Sequence, residues 1–263
     1  MINQGFVTIS VDDGHPTDLR TKDLLEKYGL KATFYIPATN HERPVMSRTE
    51  IQQLGKRFEI GGHTMNHMAL KSLTSERARG EISDGKKWLE DLLGTSVASF
   101  CYPRGKFNGR IAALVEEAGF LGARTCFLNL NTFPKNPFYW GVSTHASPHS
   151  PFIQVRHALL ERNYPGAVNY FRVFKATRDW QAHFFHSLEY VGRKGGIAHL
   201  YLHSWEMESF GHWAKLESVF RAIAVNSKLT KITNGELYKL WKVRQVRQAS
   251  PPMFSSTAHG DAQ

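Results

Sequence analysis

The chain has 263 residues, 41% of them hydrophobic, enough for one full-size core and compatible with a single barrel of this length. No apolar run is long enough to span a bilayer, and the opening MINQGFVTISVDD lacks the basic and apolar regions of a secretory signal. The formal charge is +10, and the stretch after Lys242, with two arginines and one aspartate, supplies only +1 of it, so the excess lies on the folded body.

FVTISV (6–11) mixes β-branched and aromatic residues and ends at DDG, which predicts a buried strand running into a turn. A helix follows from Leu19 to Tyr28, stopped by Gly29, and a second strand over 32–36, closed by Pro37. Ser47 and Glu50 are spaced as a capping box for a helix to about Lys56. A short strand (58–60) meets Gly61-Gly62, a long helix runs from about Ser75 to Leu93 with Gly94 past its end, and SFCY (99–102) is a strand stopped by Pro103. Asn108 caps a helix to Ala118, and GART (122–125) begins another strand. Prolines at 134, 137, 148, 151 and 165 predict long loops with one helix from 126 to about 178. Asp179 then caps a helix to about Gly192, IAHLYL (197–202) is a buried strand, and helices follow over about 212–226 and 236–242. The tail 243–263 reads as disordered, and residues 1–242 as one domain.

The alternation of strand and helix predicts parallel βαβ units. In a parallel barrel the strand ends share the face where chemistry is placed, which brings Asp12, Asp13, His63, His67, Arg104, His203 and Glu206 to one site. Two adjacent carboxylates cannot point the same way, so one can hold a cation while the other works as a base; alternatively Asp13 simply opens a turn with Gly14. HTMNH sets two imidazoles four apart, a spacing that places them on one side of a helical turn and suits zinc, with Thr64 steadying the turn. Together with one aspartate they give three ligands and an open position, the catalytic arrangement; alone, such a pair is an ordinary surface feature. His203 follows a strand on this face and, when protonated, can serve as a general acid, whereas His199 inside the strand reads as a buried structural histidine.

Three motifs in this order, SVDDG, GGHTMNH and LYLH, resemble the polysaccharide deacetylases, the NodB-homology carbohydrate esterases of family 4, and the resemblance runs from about Phe6 to Lys242. It implies an α/β fold, a distorted (β/α)7 TIM-like barrel, and hydrolysis of N-acetyl groups on sugars with a divalent metal, zinc first and cobalt, nickel or manganese as alternatives. Carried over by motif position, Asp12 is the general base, Asp13, His63 and His67 bind the metal, and His203 is the general acid. The loop after Tyr102-Pro103 is where the family places an oxyanion-binding N–H, expected here from Arg104 or its neighbour. Substrate contacts are expected from Tyr102, Pro103, Arg104, Trp205 and Glu206, with Trp140 and Trp213 as further aromatic candidates.

The chain departs from the family in two places. FCYPRG (100–105) has Cys101 where an arginine often steadies the base, and no aspartate occurs between Asp91 and Asp179 to supply the usual fourth motif. Arg124 or Arg104 beside Asp12, and Glu206 against His203, are the candidate replacements. The segment 156–194 holds seven Lys or Arg, three acidic residues and many aromatics, and reads as a helix packing Phe184, Leu188 and Val191 on the barrel, or as a wall of the substrate groove.

These readings converge on a cytoplasmic deacetylase of an N-acetylated glycan or glycan precursor, anionic or phosphate-linked, with Cys101 and Cys126 as free thiols. Peripheral membrane contact fits the basic charge; with no nucleic-acid motif, nucleic acid is not expected as a partner. A hydrolase of small cyclic amides and a catalytically silent glycan-binding barrel are the rival readings, and the oligomeric state is left open.

Overall fold

The computed structural model describes residues 4–249. Its first strand, β1 (Gly5–Asp12), is buried throughout, as a central parallel strand covered on both sides must be. The chain continues through α1 (Asp18–Lys27), β2 (Thr33–Ile36), α2 (Arg48–Gly55), β3 (Glu59–Gly62), α3 (Ser75–Leu93), β4 (Ser99–Cys101), α4 (Gly109–Glu117) and β5 (Gly122–Arg124). After a long connection come β6 (Thr144–His145), α5 (Pro151–Leu160), α6 (Tyr164–Arg172), α7 (Trp180–Lys194), β7 (Gly196–Leu202), α8 (Ser204–Ser209), α9 (Trp213–Val225), β8 (Leu229–Lys231) and α10 (Asn234–Ala249). The capping box at Ser47 and Glu50 forms, with both reciprocal hydrogen bonds present.

All strand pairs are parallel, in the order β5-β4-β3-β2-β1-β7-β6, with β8 added beside the first residues of β1. The segment leading into β6 spans the open edge: Trp140 bridges to Arg124, and Ser143 donates to the carbonyl of His199 in β7. The strands are parallel, as the alternation predicts, and seven of them curl into the distorted barrel that the resemblance implies, with β8 beside β1. Within β1 the period of two is plain. Val7, Ile9 and Val11 join the large apolar cluster with the surrounding helices, while Thr8, Ser10 and Asp12 take the other face. There Ser10 Oγ and His199 Nε2 are 2.9 Å apart and buried, the structural role expected of His199. Phe6, Trp140, Ile197, Leu237 and Tyr238 form a second cluster, which α10 closes.

Two expectations change. The stretch from 126 to 178 contains two helices and a short strand rather than loops with one helix. Two of its five prolines mark helix starts: Pro151 opens α5 behind the Ser150 cap, and Pro165 lies in the first turn of α6 behind the Asn163 cap, where a missing N–H costs nothing. The last helix runs Asn234–Ala249, past Lys242, and the remainder of the expected disordered tail, 250–263, lies outside the described residues. The α7 helix buries Phe184, Leu188 and Val191 as expected.

Candidate active site

The parallel register brings the site together. Val11 pairs with Leu202 and Asp12 with Tyr35, Gly62 pairs with Phe100, and Cys101 pairs with Arg124. The residues that end or follow these strands therefore meet at one rim. β1 ends at Asp12, and the next two residues, Asp13 (φ 79°) and Gly14 (φ 64°), are left-handed. This turn sends the two carboxylates apart, so DDG forms the expected turn and still aims the Asp13 carboxylate at the two histidines. Left-handed backbone is costly for a non-glycine residue, and such strain is retained where the surroundings fix it.

Asp12 faces the barrel interior. Arg124 Nη2, reaching across from β5, donates to its Oδ2, and the Cys101 thiol lies 3.6 Å from the same oxygen. Arg124 is fully buried, with its guanidinium 4.5 Å from the ring centre of Tyr201 and 5.5 Å from that of Tyr35. Burial pushes the Asp12 carboxyl up, but Arg124, then His63 and His203, outweigh it and hold it below the usual carboxylate range. Asp12 Oδ1 is buried with no hydrogen-bond partner among the described residues. Of the two arginines expected beside Asp12, Arg124 is the one that meets it. Arg104 does not: its guanidinium pairs with Glu42 at the exposed rim.

Asp13 turns the other way. Its Oδ1 lies 3.2 Å from His67 Nε2 and 3.6 Å from His63 Nε2. Its Oδ2 accepts from the Trp205 indole at 3.1 Å. Atoms bound tetrahedrally at zinc distances of about 2.0–2.1 Å stand roughly 3.4 Å from one another, so the three donors fit one small divalent cation. His63 Nδ1 is 2.8 Å from the carbonyl of Cys101, which fixes the ring and leaves Nε2 facing Asp13. The histidines do not lie on a helical turn, as their spacing suggests. They sit in a loop whose left-handed residues, Thr64 (φ 68°) and His67 (φ 54°), fold the two rings toward each other. Thr64 does not steady this loop through its hydroxyl, which is buried without a hydrogen-bond partner among the described residues. The loop is held by α3 instead, with Met65 N–H donating to the carbonyl of Glu81. Gly85 lets the helix approach, since a Cβ there would stand 2.6 Å from the backbone of Thr64.

His203 stands opposite. Its Nδ1 is 2.9 Å from Glu206 Oε2 and its Nε2 is 3.9 Å from Asp13 Oδ2. Burial pulls the imidazole down, but the Glu206 hydrogen bond and the Asp13 and Asp12 charges prevail and raise it to about 9. The orienting role expected of Glu206 is thus present. Glu206 also binds His145 Nε2 at 2.8 Å, and His145 Nδ1 is 2.8 Å from His149 Nε2. These two histidines were missed because the segment reads as loop; the only signal is the second four-residue spacing, HASPH. The start of α8 is fixed by Ser204, which bonds the buried Asp18 and, at 2.6 Å, Thr17.

A cleft of about 1230 Å³ opens over these groups, lined by Asp12, Asp13, His63, His67, His203 and Trp205, among others. Tyr102 reaches its wall but offers no free hydroxyl, since the buried side chain donates to the carbonyl of Phe138 and stacks on Phe107. Pro103 is buried and not on the wall. Arg104 lines the cleft and is left-handed (φ 55°). Trp140 and Trp213 are buried away from the cleft. Arg156, His157 and Arg162 form part of the wall, so the segment 156–194 serves both as core-packing helix and as groove wall.

Residues 3–123 of the chain match the family profile described as Polysaccharide deacetylase. Among curated relatives it is 33% identical over 121 residues to the peptidoglycan-N-acetylglucosamine deacetylase of Bacillus cereus, covering 45% of this chain and 55% of that protein. It is 26% identical over 117 residues to the putative polysaccharide deacetylase YxkH of Bacillus subtilis, covering 43% and 42%. The chain thus spans about half the length of the curated relatives it matches. The fold likeness is longer. A putative polysaccharide deacetylase from Mycobacterium smegmatis superposes over 93% of both chains with TM-score 0.56 at 14% identity. A family 4 acetyl xylan esterase from Clostridium thermocellum does so over 89% of this chain and 91% of its own, with TM-score 0.55 at 17% identity.

Proposed function

We propose that the chain is a metal-dependent hydrolase that removes acetyl groups from N-acetylated sugars of a glycan or glycan precursor. The observation that carries this reading is the division of labour at the rim. A buried, arginine-paired carboxylate with one free oxygen stands on one side of a three-donor set, and a carboxylate-held imidazole stands on the other. Asp13, His63 and His67 would hold a divalent cation, which when bound would supply Lewis acidity to an acyl carbonyl and to water. Arg124 occupies one oxygen of Asp12 and keeps it ionised, so Oδ1 takes the proton of the attacking water. His203, held by Glu206 through Nδ1, presents Nε2 to the leaving nitrogen and gives it the proton it needs to depart as an amine. The Arg104 turn supplies a backbone N–H to the carbonyl oxygen as it gains charge. Phe127 and Tyr139 on the wall offer faces for sugar rings, while the Arg43 guanidinium lies over the Trp205 ring, 3.5 Å from its centre. The products are acetate and the free amino sugar.

Zinc is the proposed metal, because two imidazoles and one carboxylate suit it. We place the reaction in the cytoplasm, on the support of two free thiols, one of them against the catalytic base. The test is acetate release from N-acetylated monosaccharides, oligomers, and lipid- and nucleotide-linked sugars, with metal-stripped and zinc-loaded enzyme. Zinc-dependent release supports the reading. Absence of release from every acylated sugar, with metal bound, returns the protein to the silent binding barrel; cleavage of cyclic amides alone returns it to the other C–N hydrolases.

A further inference from the structure

The hairpin formed by α5 and α6 is built inside out. Toward the barrel α5 buries Gln154 and Ala158, and α6 buries Gly166 and Tyr170. Toward solvent the same helices present Phe152 (75% exposed), Leu159 (52%), Leu160 (67%), Tyr164 (60%), Val168 (47%) and Phe171 (58%). A surface helix ordinarily buries its large apolar residues and exposes small or polar ones. Single exposed apolar residues need no explanation, but these six and Ile153 (40% exposed), seven on two adjacent helices, form the kind of patch that marks an interaction surface.

Charge indicates the partner. From 150 to 178 the chain carries Arg156, Arg162, Arg172, Lys175 and Arg178 against a single acid, Glu161. All five cations are exposed, and none has a carboxylate within ion-pair distance among the described residues. Exposed aromatic and aliphatic side chains interleaved with basic ones are the composition of a helix that lies in the headgroup region of an anionic bilayer. A second copy of the chain is a poor occupant, because it would set one basic patch against another. The patch also adjoins the cleft, since Arg156, His157, Leu160 and Arg162 belong to its wall.

We propose that the α5–α6 hairpin is a membrane-docking surface for anionic lipid, which would hold the mouth of the cleft at the bilayer. The inference stands on the hairpin and does not need the deacetylase reading. Docked this way, the site would meet sugars carried on membrane lipids.

The test is sedimentation of the purified chain with vesicles of phosphatidylcholine alone or with about one third phosphatidylglycerol, a content chosen to give the negative surface potential of a biological leaflet. The comparison variant is Phe152→Ser/Leu159→Ser/Phe171→Ser, none of which lines the cleft, with its fold checked by circular dichroism and thermal unfolding. The expected result is binding to the phosphatidylglycerol vesicles, weakened by 0.5 M salt, and a loss of at least about tenfold in the triple variant. A charge variant, Arg172→Glu/Lys175→Glu, should weaken binding to the anionic vesicles as well. Undiminished binding by the triple variant would assign the effect to bulk charge and overturn the proposal. So would an absence of vesicle binding together with a dimer that the triple variant dissociates, which would make the patch a contact between copies.

Discussion

Arg124→Ala removes one partner from an ion pair whose side chains are 0% and 4% exposed. Breaking a buried pair on one side costs about 3–5 kcal/mol, because a charge remains without compensation. Asp12 keeps His203, raised to about 9, as a weaker positive neighbour, which places the loss near the lower end, about 3 kcal/mol. For a chain of this size that corresponds to a fall in Tm of roughly 6–12 °C, at about 2–4 °C per kcal/mol. Denaturant unfolding of wild type, Arg124→Ala, Asp12→Asn and the double variant isolates the pair. The double variant should lose less than the two single losses combined, by about 0.5–3 kcal/mol, because removing the second charge relieves the first. Activity should follow. Without the guanidinium, burial dominates and raises the Asp12 carboxyl, so the acid limb of the pH–rate profile moves to higher pH. Additive losses in the cycle, or a single-variant loss under about 1 kcal/mol, would refute the reasoning, since that is the worth of an exposed pair.

Glu206→Gln removes the main group that raises His203, so the alkaline limb of kcat/KM should shift downward from the region of pH 9, and an unchanged limb would deny His203 the acid role. Stability should fall with acid well before carboxylates titrate. Burial, the first cause at each site, lowers His183 and His199 to about 3, below the 6.5 of an unfolded histidine. The unfolded state therefore takes up protons that the folded state refuses, and stability present above pH 6.5 is lost as the pH falls toward 3. Denaturant midpoints measured at pH 7 and pH 5 check this, and equal midpoints would contradict it.

The barrel was legible because its strands are short apolar runs closed by glycine, proline or acidic turns, as at FVTISV-DDG and IAHLYL. The same runs put Asp12, Asp13, His63, His67 and His203 at strand ends, where parallel register brings them to one rim. What stayed hidden depends on contacts across the barrel. That Arg124 rather than Arg104 meets Asp12 follows from the inward face of β5, which three residues of strand cannot declare. His145 lies in a two-residue strand inside a proline-rich segment, so no periodicity marks it. The His63–His67 loop has a helical spacing without a helix, because left-handed residues held by α3 set its path. The inside-out character of α5 could not be read either, since which side of a short apolar helix faces the barrel is decided by tertiary packing.

The most direct test separates the two neighbouring aspartates. Zinc content and acetate release from an N-acetylated sugar would be measured together for wild type, Asp12→Asn and Asp13→Asn. The account predicts that Asp12→Asn retains zinc but loses turnover, and that Asp13→Asn loses both. Turnover surviving in Asp12→Asn, or zinc retained at wild-type level in Asp13→Asn, would contradict the assignment of one carboxylate to the proton and the other to the metal.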